Sequence, residues 1–208
     1  MKNNMRSILV MFILIFSATG CKKNDKPVFN PEGTIWTGSY TGGLYSFKLD
    51  AGGKLVWHDI AGDRNGTWTY TSGKLALVMS GMSFKADFTA GKELSNIENS
   101  PGFTLNSGAL IPEALAVVPE KGSKWVSTKG GPVFGGVYVW YFDSPFLDIY
   151  DTGGIIKTSA NFFTWKDGAL YFGYKEANVA KSDIAVLNAK GKLLWRGNGS
   201  IELTKAQP

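Results

Sequence analysis

One cysteine and one histidine stand among the 208 residues, and they limit the chemistry this chain could do. A single His58 rules out a His-based metal cluster. It is also the one imidazole a Ser-His-Asp triad could use. It alternates with Val56 and Ile60 in an apolar stretch, and no nucleophile-elbow motif lies nearby. The reading is a strand residue close to a sheet face. Asp63-Arg64-Asn65-Gly66 looks like the start of a calcium loop, but the later ligands and the closing glutamate are absent, and Asn-Gly reads as a hairpin turn. Gly130-Gly131-Pro132-Val133-Phe134-Gly135-Gly136 has the glycines of a phosphate loop without its Lys-Ser/Thr or a following helix, so it reads as a hairpin connection. Asp143, Asp148 and Asp151 could supply a glycosidase carboxylate pair. Beside Ser144-Pro145 and Thr152-Gly153-Gly154 they read as turn residues instead. No catalytic residue and no metal ligand is assigned, and a hydrolase is the least favoured of three functional readings.

The aromatic residues are the stronger candidates. Tyr45, Phe47, Trp57, Trp68, Trp140, Trp165 and Tyr174 could line a barrel cavity, and their flat faces suit an apolar or sugar ligand. The competing reading is that they fill the core, as inward aromatics do in small barrels.

The elements that would position them are strands. In Leu44-Tyr45-Ser46-Phe47-Lys48-Leu49 the apolar set and the polar set alternate, as on a half-buried strand. Gly52-Gly53 turns the chain, Leu55 to Ile60 returns, and Thr67-Trp68-Thr69-Tyr70 follows with its aromatics facing inward. Thr71 to Lys74 turns again, Leu75 to Met79 returns, and Phe84 to Phe88 adds a strand before an Ala90-Gly91-Lys92 turn. This is a meander of about six strands. Residues 98–123 break the rhythm, and Pro112 to Val118 reads as a short helix with proline at its first position. A repeat then appears. Gly33-Thr34-Ile35-Trp36 recurs as Gly122-Ser123-Lys124-Trp125. Gly66 to Tyr70 and Gly73-Lys74-Leu75 align with Phe162, Phe163, Trp165 and Gly168-Ala169-Leu170. Ala90 to Leu94 aligns with Lys190 to Leu193. Val137-Tyr138-Val139-Trp140-Tyr141-Phe142 is apolar on both faces and must be covered on both, by the chain or by a partner. The expected fold is all-β and antiparallel, a meander built from two related halves at about 34–99 and 122–208, either as one closed barrel or sandwich or as two tandem small units, with a small propeller as a distant alternative.

The first residues carry an address. Lys2 and Arg6 precede the apolar run from Ile8 to Phe16, and the small residues Ser17-Ala18-Thr19-Gly20 lead to Cys21. The run is about half the ~20 residues that span a bilayer, so it reads as a secretory signal peptide. Ala18-Thr19-Gly20-Cys21 resembles the lipobox of bacterial lipoproteins, with Ala18 in place of the usual Leu. The resemblance implies cleavage after residue 20, a diacylglycerol and an acyl chain such as palmitate on Cys21, and no other cofactor. It also implies a membrane anchor, with residues 21–33 as the tether. By resemblance to diderm lipoproteins, the lack of Asp right after Cys21 argues against inner-membrane retention and so for the outer membrane of the cell envelope, facing either the periplasm or the exterior. A lone cysteine forms no intrachain disulfide, and a lipidated thiol needs no partner. Without residues 1–20 the formal charge falls from +5 to about +3, too small for a nucleic-acid footprint.

Trp36, Tyr45-x-Phe47 with Gly52-Gly53, Gly66-x-Trp68-x-Tyr70 and Gly73-x-Leu75-x-Leu77 resemble the lipocalin-like domains of bacterial lipoproteins. This resemblance implies a β-barrel over residues 34–208 and carries over no ligand residue. Two functions stay open beside the hydrolase. One is a lipid-anchored, non-enzymatic binding module for a small apolar or glycan ligand. The other is a structural or docking lipoprotein that binds another envelope protein through the apolar sheet face at Tyr138 to Phe142.

Overall fold

A computed structural model describes residues 29–88, 93–130, 137–143, 145–151, 157–176, 178–195 and 200–207. Cys21, the 90–92 turn and most of the 130–136 connection lie outside the described residues. Sixteen strands are seen, all paired antiparallel. The first eight are β1 (Ile35–Tyr40), β2 (Gly43–Asp50), β3 (Lys54–Asp59), β4 (Gly62–Thr71), β5 (Lys74–Met79), β6 (Met82–Phe88), β7 (Leu94–Asn99) and β8 (Leu105–Ile111). They form an up-and-down sheet in which β8 returns to pair with β1, and a Glu93–Ala109 bridge spans the remaining gap beside β7. The second eight are β9 (Lys124–Gly130), β10 (Val137–Asp143), β11 (Phe146–Asp151), β12 (Lys157–Lys166), β13 (Ala169–Glu176), β14 (Val179–Leu187), β15 (Leu193–Trp195) and β16 (Ile201–Lys205). They close completely, with β16 on β9. The fold is all-β, as the alternation predicts, and each half makes its own barrel.

The repeat is visible atom by atom at the start of each barrel. Gly33 and Gly122 both sit at positive φ, 82° and 81°, where glycine is the residue without a Cβ penalty. Each then donates its N–H to the strand opposite, Gly33 to Leu49 O and Gly122 to Phe142 O, both at 2.6 Å. The indole N–H of Trp36 donates to Thr34 Oγ1 at 2.9 Å, and that of Trp125 to Ser123 Oγ at 3.1 Å. Two large apolar side chains thereby enter their barrels with the polar edge already satisfied. The segments aligned with Gly66 to Tyr70 and with Gly73 to Leu75 fall at the fourth and fifth strands of each barrel, and Leu94 and Leu193 each open a seventh strand. By contrast, the similar segments Gly53-Lys54-Leu55-Val56-Trp57 and Gly191-Lys192-Leu193-Leu194-Trp195 end on the third strand of the first barrel and the seventh of the second, so they mark no propeller blade.

Three local expectations give way to longer-range packing. Asp63 to Gly66 is not a turn: it lies inside β4, and the chain reverses at Ile60-Ala61 between the paired Asp59 and Gly62. Gly66 serves close packing instead, because a Cβ there would stand 2.5 Å from Val78 O and 2.6 Å from Met79 Cγ. Part of the 98–123 segment is strand, since Leu105–Ile111 supplies β8 and completes the ring. The helix expected from Pro112 to Val118 shrinks to one 3-10 turn at Glu113–Leu115, with Pro112 ahead of it.

The two barrels pack through their outer walls. Leu44 of β2 meets Ala169, Ile184 and Val186 of β13 and β14, with Tyr171 and Leu194 at the margin. Ile35 and Ile111 of the first barrel join the core cluster of the second. This explains why β1 and β2 are buried on both faces, while β4 keeps a strict inside-outside alternation.

Candidate functional site

The seven aromatic candidates are divided between two lumens. Tyr45, Phe47 and Trp57 are fully buried in the first barrel. Tyr45 stacks on Trp57 at 4.2 Å and 13°, and on Phe47 at 5.8 Å and 4°. Trp68 is half-buried and donates Nε1–H to Asp50 O at 2.9 Å. Trp140 and Tyr174 are buried in the second barrel, and half-buried Trp165 packs against that core. The alternation placed these side chains inward correctly but could not tell one lumen from two, because closure depends on which distant strands pair.

Each lumen is filled at its centre. In the first, Trp36, Tyr40, Phe84 and Phe103 complete the aromatic stack. One charged group lies among them. Asp59 is fully buried and accepts from Tyr40 Oη and Trp57 Nε1, both at 2.9 Å, and from the Ala61 N–H at 2.8 Å. Arg64 Nη2 supplies the opposite charge at 3.1 Å. Every lone-pair direction of this carboxylate is used, as a buried charge requires. Burial, with the hydrogen bond to Asp59, pushes the Tyr40 hydroxyl up to about 12. In the second lumen, Trp140 meets Phe172 at 4.9 Å and Trp195 at 5.0 Å, both edge-on. Among the described residues its Nε1–H has no hydrogen-bond acceptor. The ring faces around it can replace one through N–H···π contact.

Concave surfaces outside the lumens include two beside the second barrel. A cleft of about 310 Å³ between the barrels is lined by Thr37, Ser107, Glu93, Asn188, Lys190 and Glu202, and carries no aromatic platform. A smaller groove of about 200 Å³ runs under the inter-barrel segment, between Leu115, Val117, Val118 and Pro119 on one side and Trp125 and Leu187 on the other.

The outer wall of β10 to β12 is the unusual surface. Tyr138, Trp140 and Phe142 point into the lumen, so the apolar strand at Tyr138 to Phe142 is not itself an exposed face. Register sets the outward residues of β11 as Phe146, Asp148 and Tyr150, beside Tyr141 of β10 and Phe162 of β12. Tyr141 and Tyr150 stack at 5.7 Å and 26°, and Phe146 and Phe162 meet at 4.8 Å. Lys124 Nζ stands 5.5 Å above the Tyr141 ring. Phe162 is 69% exposed. The hydrogen bond that Tyr150 gives to Tyr141, ahead of burial, pushes the Tyr150 hydroxyl up to about 12, and accepting from Tyr150 and Lys124 draws that of Tyr141 down. Outward positions on a barrel wall are ordinarily polar; an aromatic row with a lysine and an aspartate among it has the composition of a binding surface. Of this row, the sequence reading has Tyr141 within the apolar docking strand and Asp148 as a turn residue, whereas Asp148 lies inside β11. Phe146, Tyr150 and Phe162 look like further core residues until the register shows which side they face.

His58 sits at the junction of the barrels. Its side chain is 4% exposed. Nδ1 lies 2.8 Å from Asp63 Oδ1 and Nε2 lies 3.1 Å from Asp167 Oδ2. The carboxylates occupy both ring nitrogens, so no nucleophile is activated here. Asp143 pairs with Lys121 on the surface at 3.2 Å, and Asp148 belongs to the aromatic wall. Among the described residues no group of three His, Cys, Asp or Glu side chains could hold a metal ion.

The chain matches no protein-family model, no curated protein and no solved structure.

Proposed function

We propose that this chain is a lipid-anchored, non-enzymatic lipoprotein of the cell envelope, held in the outer membrane through Cys21. It binds a glycan on the outer wall of its second barrel. The observation that carries the ligand class is the row Phe162, Phe146, Tyr141 and Tyr150 with Asp148 and Lys124 among it. Flat rings cover the C–H faces of a sugar, while the carboxylate, ammonium and phenol groups hydrogen-bond its hydroxyls. Outward side chains on one strand recur every ~7 Å, so the row can follow an extended saccharide rather than enclose a single ring. The filled lumens support an outer-surface site over a cavity. The second reading, docking to another envelope protein, draws on the same wall, and the exposed Phe162 ring favours it.

Calorimetric titration of the chain from Lys22 onward with neutral and amino-sugar oligosaccharides tests the two. Glycan binding is expected, and Tyr141→Ala and Phe162→Ala should each weaken it about tenfold, which corresponds to ~1.4 kcal/mol. If no saccharide binds but the same variants abolish co-purification of a second envelope protein, docking takes its place. If neither variant changes anything, the wall is not the site. The anchor has its own test. Cys21→Ala should abolish acyl labelling in cells and leave unprocessed precursor. Normal processing of that variant would remove the lipobox from the argument.

A further inference from the structure

The junction between the barrels is built around a single imidazole. His58 of β3 points outward from the first barrel and is paired across the sheet with Asp63 of β4. From the second barrel, the β12–β13 turn brings Lys166 and Asp167 against it. Asp167 holds a left-handed backbone at φ 43°, an uncommon conformation for a residue other than glycine. Its carbonyl accepts from Ser46 Oγ of β2 at 2.5 Å while its carboxylate meets His58 Nε2. Lys166 Nζ reaches back to Asp63 Oδ2 at 2.6 Å, and Tyr171 Oη of β13 lies 3.4 Å from Asp63 Oδ1. Beside this network, Thr37 Oγ1 of β1 donates to Leu187 O at 2.5 Å. The apolar part of the junction joins Leu44 to Ala169, Ile184 and Val186, with Tyr171 and Leu194 beside them, and seats Ile35 and Ile111 against the second core.

Two carboxylates, one from each barrel, therefore need a hydrogen on each imidazole nitrogen. Only the imidazolium carries both. We propose that His58, bridging Asp63 of the first barrel and Asp167 of the second, is a proton-operated clasp that sets how rigidly the two barrels are held together. When the imidazolium releases one proton to solvent, a single N–H remains for two carboxylates. One His–Asp contact then becomes a lone pair facing an anion, and that side of the clasp opens.

The charged and titratable groups facing the clasp fix its direction. Burial alone would disfavour the imidazolium, but its hydrogen bonds to Asp167 and Asp63 and their negative charges outweigh it, and His58 titrates above its ordinary value. Asp63 loses some acidity to burial and regains more through Lys166 and His58. Asp167 is held low first by its bond to His58, with a further contribution from Lys48 of β2. Burial, with the charges of Asp63 and Asp59, keeps the Tyr171 hydroxyl protonated far above neutrality. A raised histidine contributes fully below its unfolded value of about 6.5 and loses that contribution as pH rises through the higher folded value. The two depressed aspartates contribute above about 3.9 and lose their contribution as pH falls through their lowered values. The clasp is therefore tightest between about pH 4 and pH 6.5. It loosens on the alkaline side by loss of the imidazolium and on the acid side by loss of the carboxylates.

Two features of the chain make the test clean. His58 is its only histidine, so an imidazole NMR titration reports one residue. Cys21 is its only cysteine, so labels can be placed at will once it is removed. In the chain from Lys22 onward, spin labels go on Val78→Cys in β5 and Val179→Cys in β14, both more than half exposed. The expected result is a His58 midpoint above about 6.5 and a narrow inter-label distance distribution below it that broadens above it. His58→Gln should be broad at both pH values, since one amide cannot donate in both directions. If that variant does not fold, Asp167→Asn, which leaves His58 and Asp63 in place, should likewise remove the pH dependence. A midpoint at or below 6.5, a width that does not change across the titration, or a pH response that survives Asp167→Asn would each overturn the proposal.

Discussion

Trp57→Ala is expected to remove most of the stability of the first barrel. The indole is fully buried and touches Tyr45, Phe47, Tyr40 and Phe103, at ring separations between 4.2 and 6.0 Å. Truncating a buried aromatic costs about 3–5 kcal/mol through lost transfer energy and the cavity left behind. Here the loss is compounded, because Trp57 Nε1 is also a donor to the buried Asp59 carboxylate. A buried acceptor stripped of a partner adds about 1–3 kcal/mol. Against a typical domain stability of about 5–15 kcal/mol, the sum leaves little. Trp57→Phe separates the two parts: it refills most of the volume and keeps the stack while losing the N–H. Its expected cost is near the hydrogen-bond share alone. Denaturant unfolding followed by near-ultraviolet circular dichroism measures both. Equal losses for the two variants would mean that Asp59, not ring packing, holds this core together.

Gly38→Ala is expected to open the first barrel at the seam where its ring is completed. Gly38 of β1 faces Gly108 of β8. A Cβ on Gly38 would run into the Ser107 carbonyl and come within 2.8 Å of the Tyr45 hydroxyl. A Cβ on Gly108 would meet the same hydroxyl at 2.6 Å. The two missing side chains make the room in which Tyr45 Oη donates to Ser107 O at 2.6 Å. Gly38 has no positive φ, so the penalty is overpacking against backbone, about 1–3 kcal/mol or more, rather than conformational strain. Gly33 is the opposite case: open space surrounds it, but its φ of 82° disfavours any side chain. Gly33→Ala should cost only about 1 kcal/mol. Hydrogen exchange separates the two. Gly38→Ala should speed exchange of the β8 amides specifically, whereas Gly33→Ala should leave them protected. Unchanged β8 exchange in Gly38→Ala would show that this seam is not where the barrel yields.

How much of the molecule could be read from its sequence follows from the range of the forces involved. Strand positions, the inward side of each strand and the duplication are local patterns. Tyr45, Phe47 and Leu49 alternate with Ser46 and Lys48 because successive strand side chains take opposite faces. Gly33-Thr34-Ile35-Trp36 and Gly122-Ser123-Lys124-Trp125 match because the same hydroxyl-to-indole arrangement starts each barrel. Asn65-Gly66 misled for an equally physical reason. A glycine needed for close packing against Met79 has the same letters as one needed for a turn. Leu105 to Ile111 gave little signal as a strand because its partner, β1, is some 70 residues earlier in the chain.

An all-β chain of two related halves, the inward set of aromatics and the N-terminal motif ending at Cys21 can all be read along the sequence, since each depends on residues close together in the chain. Long-range packing settled the rest. Ring closure divided seven candidate aromatics between two filled lumens. Register turned Phe146, Tyr150 and Phe162 outward into one wall. The packing of one barrel on the other brought Asp167 to His58 across 109 positions. These outcomes depend on which distant strands meet, and no local periodicity encodes that.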